Sequence, residues 1–89
     1  MITLIDFYAD WCGPCQAIAP VLDKVLKDFE DKVTLEKVDV DKNPEKSSKF
    51  GVVSIPTLVI TDKEGKELDR KVGGLGETEL KAWLQKNLE

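Results

Sequence analysis

Cys12 and Cys15 are the only two cysteines in the chain, and two residues separate them. Two thiols at this spacing can close an unstrained disulfide or open it again. The chemistry they suit is thiol–disulfide exchange: a thiolate attacks a disulfide sulfur, and a second thiol then resolves the mixed disulfide. Other uses of the pair are weaker. A closed zinc site wants four ligands, and this sequence offers two cysteines and no histidine. A zinc ion or iron–sulfur cluster shared across a dimer, or an inert disulfide in a secreted domain, stands as an alternative. The lack of histidine also removes Ser–His and Cys–His nucleophile pairs.

The elements around the pair decide how it is used. Residues Thr3 to Tyr8 read as a strand, Ala9-Asp10-Trp11 as a loop. Ala17, Ile18, Val21, Leu22, Val25, Leu26 and Phe29 then recur at helical spacing. Cys12 falls at the start of that helix, where unpaired N–H groups and the positive dipole end favour a thiolate. Cys12 is thus the expected attacking thiol, and Cys15, one turn in, the resolving one. Pro14 stiffens the loop between them, and Pro20 is expected to kink the helix without ending it.

Farther along, Val33–Val40 reads as a strand apolar on parts of both faces, as in the middle of a sheet. Pro44–Phe50 reads as a short helix stopped at Gly51, and Thr57–Thr61 as a strand. A turn at Asp62–Gly65 leads into a strand at Glu67–Val72. After the break Gly73-Gly74-Leu75-Gly76, Glu77–Leu88 reads as a helix with Leu80, Trp83, Leu84 and Leu88 on one face. The order β-α-β-α-β-β-α predicts an α/β fold, a mixed sheet with helices on both faces.

Two charged residues sit on apolar rows. Asp6 is beside Leu4 in the first strand, and Lys37 is in phase with Val33 and Leu35 in the second. They suggest a buried pair or a water-linked proton relay; the other reading is that one of them is solvated at an edge. Trp11 either covers the core or borders an apolar docking surface with Gly13, Pro14, Ile55, Gly73 and Gly74. From sequence alone the Ile55-Pro56 bond is open to either isomer.

Composition bounds the rest. With 89 residues the chain fits one domain over 1–89. Net charge is −4 with no basic stripe, which argues against a nucleic-acid partner. No apolar run approaches the ~20 residues of a membrane span. The first residues show no targeting pattern, so the expected location is the cytoplasm.

Taken together, Phe7-Tyr-Ala-Asp-Trp-Cys-Gly-Pro-Cys15, the downstream Pro20, Lys37-Val-Asp-Val-Asp41, Ser54-Ile-Pro-Thr57 and Lys71-Val-Gly-Gly74 resemble the thioredoxin family, in order and along essentially the whole chain. The resemblance implies a thioredoxin-like fold and a protein-disulfide reductase. It implies that Asp6 is the buried acid behind Cys15, that Lys37 modulates it, and that Pro56 is a cis-proline facing the disulfide. Trp11, Ile55, Gly73 and Gly74 would then touch the substrate. It implies a redox-active Cys12–Cys15 disulfide with no bound cofactor. The implied partners are disulfide-containing proteins and a thioredoxin reductase or equivalent donor, with the protein a monomer.

The sequence departs from the family in places. Relatives usually carry one more strand and helix ahead of the segment matching Thr3, so four strands are expected here, with Val33–Val40 left at an edge. Tyr8 stands where Trp is usual, Gln16 where Lys is common, Ser54 for Gly and Gly74 for Ala. A non-catalytic scaffold of the same fold, or a disulfide oxidase or isomerase, are the alternatives; an intact Cys-Gly-Pro-Cys argues against the first.

Overall fold

A computed structural model describes residues 1–89. The elements are β1 (Ile2–Tyr8), α1 (Gly13–Leu26) continued by a 3₁₀ turn at Lys27–Phe29, β2 (Val33–Asp39), α2 (Pro44–Lys49), β3 (Thr57–Thr61), β4 (Glu67–Val72) and α3 (Glu77–Leu88). The strands form one sheet in the order β2-β1-β3-β4. β1 runs parallel to β2 and antiparallel to β3, and β3 and β4 form an antiparallel hairpin. This is the four-stranded mixed sheet that the alternation of apolar runs predicts.

Alternation along β1 divides the core in two. Leu4 faces α1 and α3, joining Ile18, Leu22, Val25, Leu58, Ile60, Leu80, Trp83 and Leu84 in the larger cluster. Ile5 and Phe7 face α2, with Val38, Val59 and the half-buried Phe50 and Val52. β3 is buried on both faces from Thr57 to Thr61, as its unbroken apolar character requires.

Each outer element is tied down by polar bonds. Asp69 on β4 accepts from the Trp83 indole of α3 at 2.8 Å. Arg70, on the opposite face of β4, donates to the Phe50 carbonyl at 2.6 Å and thereby caps the end of α2. Gly51 follows with φ +65°, the left-handed turn that stops that helix.

α1 continues through Pro20, as the apolar stripe on both sides of it predicts. Two expectations change. Ala17 lies on the outer face of α1 and is exposed. Lys37 lies exposed on β2, the strand expected at the edge of the sheet, so Asp6 and Lys37 are adjacent without being a buried pair.

Candidate active site

Cys12 is the N-cap of α1, and Cys15 closes the first turn. The two form a disulfide with Cα atoms 5.2 Å apart. The Cys12 backbone is extended and its Sγ accepts the Cys15 N–H at 3.1 Å. The strand-to-helix turn is closed by the Cys12 N–H donating to Ala9 and the Gln16 N–H to Cys12. The local fold thus aims the Cys15 N–H at the Cys12 sulfur. Gly13 and Pro14, the first residues of α1, leave that end of the helix exposed to solvent.

Behind Cys15 lies Asp6. Its side chain is 1% exposed, and Oδ1 has no hydrogen-bond partner. Burial pushes its carboxyl above the ordinary aspartate range, opposed by the positive charge of Lys37. Asp6 and Lys37 are register partners across β1 and β2. With Tyr8, Asp10, Cys15 and Gln16 they line a cleft of about 390 Å³ on the α1 side of the sheet. Asp10, Gln16 and Lys37 are exposed, so the cleft meets solvent there.

A second hollow opens on the α2 side. Trp11, Val40, Val52, Val53 and Ile55 line most of its roughly 460 Å³. Trp11 is 71% exposed and is held by its indole N–H, which donates to Asp41 at 2.8 Å. Asp41 is placed in turn by the buried Asp39, whose carboxylate accepts the amides of Asp41 and Lys42. Val53 projects fully into solvent at 96% exposure.

The Ile55-Pro56 bond is cis. Pro56 is buried, and its carbonyl accepts the Gly73 N–H at 2.8 Å. Gly73 has φ +95°, a conformation that L side chains rarely adopt. Neither the N–H nor the C=O of Ile55 hydrogen-bonds within the protein. Half-buried Ile55 packs against the cluster that holds the two cysteines.

Cys12, Cys15, Trp11, Ile55, Pro56, Gly73 and Gly74 therefore come from four loops or helix ends at one end of the sheet, while Asp6 and Lys37, on the strands, line the cleft that Cys15 borders. The sequence reasoning missed Asp41 as the anchor of Trp11, and Val40, Val52 and Val53 as walls of the hollow. The Asp39-x-Asp41 spacing after a strand is the signal for the first; an exposed valine in a loop carries no such signal.

The chain matches the thioredoxin family model over residues 1–86. It is similar to thioredoxin 1 of Nostoc sp., 45% identical over 96% of this chain and 78% of that protein. It is also similar to thioredoxin of Staphylococcus saprophyticus, 44% identical over 98% of this chain and 83% of that one. Among solved structures, a mutant thioredoxin from Halobacterium salinarum superposes with a TM-score of 0.89 at 38% identity, covering 99% of this chain and 75% of that one.

Proposed function

The chain belongs to the thioredoxin family and is a thiol–disulfide oxidoreductase that reduces protein disulfides; on that premise we propose how its residues divide the work. In the reduced protein the Cys12 thiolate, favoured by the helix N-terminus and the Cys15 N–H, attacks one sulfur of a substrate disulfide. The other substrate sulfur leaves as a thiolate, and Cys12 is held in a mixed disulfide. Ionised Asp6 takes the proton of Cys15. The Cys15 thiolate then attacks the Cys12 sulfur, closing the disulfide and releasing the second substrate thiolate. The substrate gains two electrons and the protein loses two. A reductase of the thioredoxin reductase kind returns them.

The single observation that carries this reading is the Cys12–Cys15 disulfide at the α1 N-terminus. Trp11, Ile55, Gly73 and Gly74 form the docking face. The free backbone groups of Ile55, presented by cis-Pro56, pair with an extended substrate segment as an added strand would. Lys37 modulates Asp6 from the rim of the cleft. Residues 1–89 act as one thioredoxin-like domain and as a monomer, with the disulfide as the only redox group. The protein serves in cytoplasmic electron transport and redox homeostasis; no helix is long and apolar enough to cross a membrane.

A trapping experiment tests the assignment. Cys15→Ser protein, mixed with reduced-and-reoxidised insulin, should accumulate a covalent adduct through Cys12, visible by intact mass. Cys12→Ser protein should accumulate none. Adducts through Cys15 alone would reverse the roles, and no adduct with either variant would favour a scaffold.

A further inference from the structure

Asp6 and Lys37 face each other across two strands, yet Lys37 forms no ion pair with Asp6 or with any other carboxylate. Its ammonium lies instead over the Tyr8 ring, 5.4 Å from the centroid. Tyr8 is two residues from Asp6 on the same face of β1, and all three side chains line one cleft with Cys15. Two nearby carboxylates are engaged elsewhere: Glu36, on the opposite face, pairs with Lys46, and Asp39 accepts backbone amides; Asp10 shares the cleft but forms no ion pair with Lys37.

We propose that Tyr8 is a positioning residue for Lys37, its ring face holding the ammonium in the wall of the cleft where the charge acts on Asp6. The proposal rests on Asp6 being the acid that serves Cys15. A cation over an aromatic face is attracted by the ring quadrupole, and a lysine on an exposed edge strand otherwise spreads into solvent. The charged or titratable groups that line the cleft with Asp6 are Tyr8 on β1 itself, Lys37 from β2, Cys15 from α1 and Asp10 from the loop after β1; β3 presents Leu58. Of these only Lys37 favours the carboxylate, so loosening it leaves burial less opposed.

The test follows the Asp6 carboxyl by carbon-13 NMR titration in the oxidised protein. Tyr8→Leu should raise its midpoint by about half a pH unit, in the direction of Lys37→Met. Tyr8→Phe, which keeps the ring, should restore the wild-type value. In a Lys37→Met background, Tyr8→Leu should add nothing. A fall in the midpoint, no change, or an equal shift without Lys37 would overturn the proposal. Should Tyr8→Leu not fold, the unmodified protein still decides: ring current should move the Lys37 ε-methylene protons upfield, and random-coil shifts there would refute the contact. Insulin reduction measured against pH separates the two readings. If its profile ignores a shifted Asp6 midpoint, Asp6 does not serve Cys15, while the hold of Tyr8 on Lys37 stands.

Discussion

The indole of Trp11 is fastened to Asp41 by a 2.8 Å hydrogen bond that joins the loop before the disulfide to the loop after β2. Neither residue is buried, so the bond contributes to the position of the tryptophan more than to folding. Asp41→Ala should lower kcat/KM for insulin reduction a few-fold, the equivalent of roughly 1 kcal/mol, with little change in Tm. Asp41→Asn, which keeps an acceptor, should recover most of the loss. Equal activity in all three proteins would show that the bond does not place Trp11 for docking.

Asp6 should make the fold less stable as pH rises. Its carboxyl is raised by burial, so the folded state keeps the proton longer than the unfolded chain does. Below the ordinary aspartate value both states are protonated and the penalty is absent. It grows from the ordinary aspartate value of 3.8 upward and is complete above the raised midpoint. Asp6→Asn should therefore be more stable than the parent at pH 8, on the order of 1–3 kcal/mol, and gain little at pH 3. Urea unfolding of the oxidised proteins across that range reads the difference; a gap that widens toward acid would contradict the burial argument.

The adjacent glycines at 73 and 74 should behave differently. Gly73 has φ +95°, so Gly73→Ala forces a side chain into the left-handed region and should cost about 1–2 kcal/mol or more. Gly74 has an ordinary backbone, and an added Cβ would lie 3.5 Å from Ile18 Cγ2, a normal contact. Gly74→Ala should change stability by less than about 0.5 kcal/mol. Thermal melts of the two variants give the comparison, and equal losses would refute it.

Asp69 works in the opposite sense to Asp6. The bond from Trp83 above all, with those from the Arg70 amide and Asn87, holds its carboxyl below the ordinary range. The stability this contributes is present above the ordinary aspartate value and is lost as pH falls through the lowered one. Trp83→Phe keeps the ring in the core but removes the donor, and should cost about 1–2 kcal/mol at pH 7, shrinking toward pH 2. A loss that does not depend on pH would point to packing alone.

Much of this was legible in the residues. Apolar spacing marks α1 and α3, and apolar runs with turn and stop signals mark α2 and the four strands; β3, β4 and α3 have the predicted ends. The dithiol announces itself by spacing, and Asp6 by being a charge on an apolar row. Position in the sheet is harder to read. Lys37 interrupts apolar residues much as Asp6 does, but strand order makes one row central and the other an edge, and order is set by tertiary pairing. The partner of Trp11 was illegible for a related reason: Asp41 meets it only because two loops end at the same rim of the sheet.

The two hollows beside the disulfide lie on opposite sides of the sheet. One, walled by Trp11, Val40 and Ile55, opens toward α2; the other, holding Asp6, opens under α1. On the proposed roles of Trp11 and Asp6, cargo and protons would then have separate entrances. A large protein seated across the first would leave the exposed Asp10, Gln16 and Lys37 wet at the second. The acid would exchange with bulk water while the mixed disulfide persists, so resolution would not wait for the substrate to lift away. Sensitivity to pH should then be common to bulky and small disulfides alike, with size acting on docking alone.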